Sequence, residues 1–300
     1  MPAYAGMTQA QTLEKADSPL RGIFWMLVTG LCFVAVTALV KSLDGRLPAA
    51  ESAFLRYILG AVFLIPMFGA LIRSKLTKRQ VSLFGLRGLV HALGVILWFY
   101  ALARIPIAEV TAMNYMSPIY VTLGAVLLLG ERLAIRRILA VGVAFLGALV
   151  ILRPGFRELD LGHFAMIGAA IGFAIGYLIA KKLSGEVSAA VVVGMLSLMV
   201  PIGLAPMALL NWVTPTLWEL VVLMGVACFA TAGHYTMTMA FQAAPVSVTM
   251  PVQFLQLVWS VLLGAVFFAE PPDFFVILGG LLIVSAISFI SWREAMLKRA

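Results

Sequence analysis

From Gly22 to Trp292 the chain alternates long apolar runs with short clusters of charged, proline and glycine residues. A run of roughly 20 apolar residues crosses a bilayer as an α-helix. Ten such spans are predicted, at 22–42, 50–72, 81–103, 107–129, 134–153, 161–182, 188–210, 218–242, 245–269 and 273–292. The breaks between them carry turn and loop chemistry: Asp44-Gly45, Arg73 to Arg79, Arg104 to Pro106, Arg132 to Arg137, Arg153-Pro154-Gly155, Thr214-Pro215 and Pro271-Pro272. The weakest break, Gln242 to Pro245, carries no charge, and nine spans follow if that turn is a kink. The fold class expected is an all-α polytopic membrane protein.

Composition removes the water-soluble alternative. Hydrophobic residues make up 63% of the chain and charged residues 11%, where a soluble domain carries roughly 25% charge. The net charge of +8 sits largely in short loops, so the positive-inside rule accounts for it and nucleic acid is not an expected partner. With ten spans, the side holding both termini carries fourteen Lys and Arg residues and the other side five, which places both termini in the cytoplasm. The first 20 residues, with Glu14, Lys15 and Asp17, lack the order of a signal peptide. Cys32 and Cys228 each lie inside an apolar run and read as small hydrophobes, without a disulfide framework or a metal site. The localisation expected is a bacterial-type inner membrane.

The two halves resemble each other at a shift of about 140 residues: Gly22, Phe24 and Met26 align with Gly162, Phe164 and Met166, Lys41 with Lys181, and Pro66 with Pro206. One residue less of shift aligns Ala101 with Ala240, Pro106 with Pro245 and Glu131 with Glu270. Lys, Glu and Pro are rare in such a chain, so their coincidence is informative. Each unit holds five spans, an odd number, so the second enters the membrane from the opposite side. Inverted repeats of this kind are a recurring carrier design. The division is an N-terminal tail 1–21, a first repeat 22–155, a second repeat 161–292 and a tail 293–300.

Leu86-Arg87-Gly88, Trp98 to Leu102, Pro106-Ile107-Ala108, Ser117-Pro118, Leu129 to Arg132 and Leu152 to Gly155 resemble the first repeat of the EamA family of the drug/metabolite transporter superfamily. The second half is similar at Ala240 to Pro245 and at Phe268-Ala269-Glu270, and departs at Leu257, which stands where Pro118 has its counterpart. The resemblance runs from about Gly22 to Arg293. It implies ten helices, with the third, fourth, eighth and ninth around a central cavity, and a carrier for small organic metabolites. Amino acids, aromatic ones included, are an implied export class; S-adenosylmethionine and riboflavin are implied uptake substrates.

A polar group at membrane depth needs a partner or a wet cavity. His91 in the third span and His234 in the eighth fit a substrate or proton role, or a neutral ring bonded to a carbonyl. Arg87 lies one turn from His91 and either attracts a substrate carboxylate, or snorkels to the cytoplasmic surface or pairs structurally to hold the third helix in place. Arg56 is its analogue in the second span, with Glu51 near enough to pair with it. The fourth span carries Asn114, Tyr115, Ser117 and Pro118, and the ninth carries Ser247, Thr249, Pro251, Gln253, Gln256 and Trp259. Intramembrane prolines free backbone carbonyls beside a cavity or another helix. Asn114 with Ser117, and Gln253 with Gln256, share helix faces, and either line a substrate path or bond between helices. Trp98, Tyr100, Tyr115, Tyr235 and Trp259 fit aromatic cavity walls, or an interfacial belt. Glu109, Glu131 and Glu270 lie near span ends, where capping or pairing with loop arginines is expected; Glu109, with His91, is a coupling candidate. Gly168, Gly172 and Gly176 mark a close helix approach, within the chain or between protomers.

No nucleophile elbow, metal motif or paired midspan carboxylates point to a membrane enzyme, no charge rings or filter loop to a channel, and no Walker-type loop to an ATP-driven pump. The chain reads as a secondary transporter working by alternating access. Its partners are a small-molecule substrate, the lipid bilayer and a coupling ion or proton, with no cofactor. Amino-acid export leads, and uptake of S-adenosylmethionine or riboflavin is the alternative.

Overall fold

The computed structural model describes residues 19–117, 119–120, 135–153, 158–184, 186–243, 252 and 255–297, and every regular element among them is helical. The helices are α1 (Pro19–Lys41), α2 (Ala49–Leu59), α3 (Phe68–Arg73), α4 (Lys78–Leu102), α5 (Ile107–Asn114), α6 (Ile135–Leu152), α7 (Leu161–Ser184), α8 (Ala189–Leu210), α9 (Leu217–Ala243), α10 (Leu255–Phe267) and α11 (Phe274–Leu297). Six described stretches are long and apolar enough to cross a membrane: Leu20–Lys41, Ala49–Pro66, Lys78–Leu102, Leu161–Ala180, Ala190–Leu210 and Leu217–Met237. Leu139–Leu152, Leu255–Phe267 and Phe274–Ala286 are shorter apolar helices. The predicted fourth, fifth and ninth spans run in part through 121–134 and 244–251, and the uncharged break at Gln242 to Pro245 in part through 244–251, all outside the described residues.

Proline shapes two of the spans. The second is one passage in three pieces, α2, a 3-10 segment over Gly60–Met67, and α3, with Pro66 inside the tighter segment. Pro66 has no N–H to donate into an α-helical ladder. In the fourth span α5 stops at Asn114 and turns at Tyr115 and Met116. Pro118 follows in sequence, and a proline ring clashes with the carbonyl four residues before it, here that of Asn114.

Helix contacts follow a swap rule. The first span (α1) packs on the eighth (α9), as the sixth (α7) packs on the third (α4); the second packs on the seventh, the fourth on the ninth and the fifth on the tenth. Exchanging the two halves of the chain turns this set of pairs into itself. The pairs run antiparallel: Thr29 meets Thr236 while Arg46 meets Glu219, and Arg79 meets Glu186 while Gly162 lies against Arg104 and Ile105. The α1 and α7 helices therefore start at opposite ends of the bundle, which is the geometry of an inverted pair. One end, here the Asp44 end, gathers the loops 42–48, 103–106, 211–216 and 268–273; the other, the Lys75 end, gathers 74–77, Glu186, and the outer ends of α1 and α11.

Close approach makes these pairings possible. A side-chain carbon on Gly172 would stand 3.0 Å from the Val90 carbonyl oxygen, and one on Gly168 would stand 2.9 Å from a methyl of Leu97. Gly176 sits against His91. The glycine stripe of α7 thus packs against α4, within the chain. Between α6 and α11 the contact is glycine on glycine: a side-chain carbon on Gly147 would stand 2.6 Å from the Gly279 carbonyl oxygen, and one on Gly279 would press on that of Gly147 in return. At the Lys75 end Thr77 and Gln80 form a capping box on α4, and the Gln80 amide also donates to Glu186 beside Arg79. The Gln80 bond first, and then the Arg79 guanidinium, hold the Glu186 carboxyl below the ordinary carboxylate range.

Two outcomes are expected. Gly147→Leu should force α6 and α11 apart and lower stability by about 1–3 kcal/mol, which a thermal melt of the purified protein in detergent measures. In a chain without Cys32 and Cys228, a cysteine at 76 should be labelled only from the cytoplasm and one at 214 only from outside; the reverse pattern would contradict the positive-inside assignment.

Candidate functional site

At the Asp44 end the two halves are joined by charge. Lys41 Nζ lies 3.0 Å from Glu270 Oε1 and donates to the Ile105 carbonyl at 3.0 Å. The other Glu270 oxygen accepts from the Ile107 N–H at 2.9 Å. Pro106, at the N-cap of α5, offers no side-chain acceptor, so Glu270 from the other half caps this helix. Arg46 is bidentate on Glu219, Arg153 pairs with Asp273, and the Val213 N–H donates to buried Glu51 at 2.9 Å. His163 Nε2 lies 2.7 Å from Glu109 Oε2, both side chains being buried. The capping expected of a span-end carboxylate is seen at Glu270, and the pairing with loop arginines is seen at neither Glu109 nor Glu270. Glu109 meets a histidine and Glu270 a lysine, while Glu51 turns to the Val213 backbone and away from Arg56. Glu131 lies outside the described residues. Among the described residues, Arg79–Glu186 is the ion pair at the other end.

Two hollows open at the Asp44 end. One, of about 300 Å³, is lined by Val40, Ser52, Phe99, Tyr100 and Arg104, with the Arg104 guanidinium 3.7 Å from the Tyr100 ring centre. The other, of about 420 Å³, is lined by Glu109, Arg153, Val261, Glu270, Asp273 and Phe275.

A different cluster lies at mid-depth. Arg56 on α2 and Arg87 and His91 on α4 come within electrostatic reach of His234 on α9. Arg56 is 9% exposed and its guanidinium lies 4.3 Å from the Tyr57 ring centre; Arg87 is 8% exposed and donates to the Val192 carbonyl at 2.9 Å. Arg87 Nε has no hydrogen-bond partner. Among the described residues no carboxylate lies within ion-pair distance of either arginine. Arg87 therefore does not snorkel, since its head group is held inside the bundle. The His91 ring lies 5.2 Å from the Phe173 ring and the His234 ring 5.3 Å from Phe33, and both histidines are only partly covered. Tyr177 lies within electrostatic reach of Arg87, and 46% of its surface is exposed.

The fourth and ninth spans supply less. Buried Tyr115 bonds the backbone of Leu257, which joins α5 to α10. Asn114 Oδ1 and Ser117 Oγ are buried without a partner. Gln256 is partly covered, Trp259 is 44% exposed, and Trp98 packs edge-on against Phe99. Gln253 lies outside the described residues. The structure thus brings Arg87, His91 and His234 together, adds Arg56, and leaves Trp98 and Trp259 out of that cluster.

Three buried links escaped the sequence reading: Thr29 with Thr236 at 2.9 Å, Thr111 with Ser260 at 2.9 Å, and His163 with Glu109. Polarity inside an apolar run was the signal available for each, and it gave no partner. Glu270→Ala should strand both Lys41 and the Ile107 N–H, and should lower thermal stability by about 1–3 kcal/mol, more than Lys41→Ala does. Melts of the two purified variants check this, and equal melts would remove the capping role.

The profile of the EamA-like transporter family matches residues 20–153 and again 160–292. Over 289 residues the chain is 32% identical to a riboflavin transporter of Vibrio cholerae, covering 94% of this chain and 96% of that protein. It is 30% identical to a pseudopaline exporter of Pseudomonas aeruginosa, with 90% and 95% covered, and 28% identical to an S-adenosylmethionine uptake transporter of Rickettsia prowazekii, with 92% and 94% covered. A solved crystal structure shares the fold with a TM-score of 0.63 at 19% identity, covering 93% of this chain and 99% of its own. With both halves matching one profile and relatives aligned over nearly their whole length, the chain belongs to the EamA-like transporter family, a family of membrane carriers and not of enzymes.

Proposed function

We propose that the chain is a secondary transporter of the inner membrane that carries a small organic metabolite by alternating access, binding it at mid-depth on the seam between the two repeats. The observation that carries this reading is the cluster of buried Arg56 and Arg87 with His91 and His234, drawn from helices of both repeats. In this conformation the cross-repeat ion pairs lie mostly at the Asp44 end, which supports a state closed there. The basic residues Arg73, Lys75, Lys78, Arg79 and Lys182 at the Lys75 end support that end as cytoplasmic. Inverted repeats supply the second, mirror-related state without new packing rules.

Export of amino acids, aromatic ones among them, is the leading substrate assignment, with His91 or Glu109 as the group that takes up a coupling proton. The aromatic side chains near the cluster, Phe33, Tyr57, Phe173 and Tyr177, support a ring-bearing substrate. A second reading is uptake of riboflavin or S-adenosylmethionine. It is favoured by relatives named for those substrates, two of them riboflavin transporters at 32% and 30% identity.

Uptake into proteoliposomes holding the purified chain, with labelled amino acids, S-adenosylmethionine and riboflavin, tests both readings. The expected result is saturable uptake of one class, lowered at least about tenfold by Arg87→Gln. Riboflavin as the sole transported compound would move the assignment to the second reading. No uptake by folded protein across the panel would overturn both.

A further inference from the structure

Arg56 and Arg87 present a charge problem that the described residues do not solve. An ion moved from water into a protein interior costs several kcal/mol unless a counter-ion or several hydrogen bonds meet it. The chain solves this elsewhere: Lys41, Arg46 and Arg153 each have a carboxylate partner, and Arg104 lies over an aromatic ring. Arg56 and Arg87 are more deeply buried than these, and among the described residues they meet a tyrosine ring and one backbone carbonyl. Arg87 Nε points at no acceptor. Both histidines of the cluster add donors to the same region and no negative charge. Among the described residues, the carboxylates of the bundle meet groups other than these two arginines. Glu51 accepts from the Val213 N–H through one oxygen while its other oxygen is buried without a partner, Glu109 meets His163, Glu219 meets Arg46 and Glu270 meets Lys41, and none of them lies within ion-pair distance of Arg56 or Arg87.

We infer that Arg56 and Arg87 form the two walls of an anion site at the centre of the bundle, and that the missing negative charge is a carboxylate carried by the transported solute. This deepens the carrier assignment above and rests on it. Guanidinium groups suit the task because their planar forks present paired N–H donors to a carboxylate. Arg87 is anchored through Nη1 on Val192, which leaves Nε free to turn to a ligand. Arg56 lies with its guanidinium carbon 4.3 Å from the Tyr57 ring centre, a contact that takes up no acceptor for its N–H groups. His91 and His234 then sit beside the rest of the solute, each backed by a phenylalanine ring. The two arginines come from two different helices, α2 and α4, and His234 from a helix of the other repeat, so a bound carboxylate ties the repeats to one another. A solute without an acidic group leaves the two cations uncompensated and gains nothing there.

Matched pairs that differ only in the acid group test this on the full chain. In detergent, indole-3-acetate should raise the melting temperature of the purified protein and tryptamine should not. The half-saturating concentration for indole-3-acetate should rise about tenfold in Arg56→Gln or Arg87→Gln, as loss of one charge-assisted bond implies. Arg56→Lys and Arg87→Lys keep the charge and should retain part of the shift, which separates recognition from a folding defect. In proteoliposomes, L-tryptophan should compete with any transported solute and L-tryptophanamide should not. Equal effects of acid and amide, or an unchanged shift in both Gln variants, would overturn the anion site. Uptake of neutral riboflavin that no carboxylate inhibits would overturn it while leaving the carrier assignment standing. Absence of all uptake, with the indole-3-acetate shift still lost in the Gln variants, would support the site and remove the carrier assignment.

Discussion

The absence of water from the bilayer core is the constraint on which the rest of this structure depends. A backbone N–H or C=O there must find its partner inside the protein, so every regular element described is a helix. The same constraint explains the devices at helix ends. The first N–H groups of α5 follow a proline and have no local acceptor, and Glu270 arrives from the other half of the chain to meet one of them. Asp273 does the same work for α11 within its own half, accepting from the Phe275 and Val276 N–H groups while it holds Arg153. Among the described residues the constraint is left unmet at Arg87 Nε, Asn114 Oδ1 and Ser117 Oγ, and also at Glu51 Oε1 and Arg153 Nε toward the Asp44 end.

In a bilayer, apolar side chains gain little by leaving lipid for one another, so the helices associate through close packing and a few polar bonds. Both appear where the halves meet. Glycines bring α7 onto α4 and α6 onto α11 until backbone nearly touches backbone. Buried hydroxyl pairs, Thr29 with Thr236 and Thr111 with Ser260, tie α1 to α9 and α5 to α10. Each of these four contacts crosses from one repeat to the other. The repeats are thus not two folded bodies side by side; each completes the other's packing, and a movement of one against the other is a movement of the whole bundle.

The two ends of the bundle differ in what a movement must break. At the Asp44 end it must separate Lys41 from Glu270, Arg46 from Glu219, Arg153 from Asp273 and His163 from Glu109, among partly or fully buried side chains. At the Lys75 end the described link is the more exposed Arg79–Glu186 pair with Gln80. Buried pairs are costly to break because each leaves a desolvated charge behind, while exposed pairs are weak. Among the described residues, the Lys75 end is therefore the end where separation of the repeats breaks fewer buried pairs.

Much of this was legible in the sequence. Apolar length and charge bias determined the membrane class, the turn residues marked most of the span ends, and the pairing of Lys41 with Lys181 and of Glu270 with Glu131 pointed to two related halves. The spacing of Gly168, Gly172 and Gly176 announced a close approach but not its partner, and only the tertiary structure named α4. Arg87, His91 and His234 were visible as polar groups at depth. That Arg56 joins them, and that Glu51 does not serve it, depends on which helices are neighbours. Glu109 illustrates the same limit: its position near a span end suggested an arginine, and the fold supplied His163 from across the repeat boundary. The physical reason is common to these cases. Crossing the membrane is a local property, set by some twenty consecutive side chains. Compensation of a buried charge is a property of a place, and residues more than fifty or a hundred positions apart meet there only once the helices have packed.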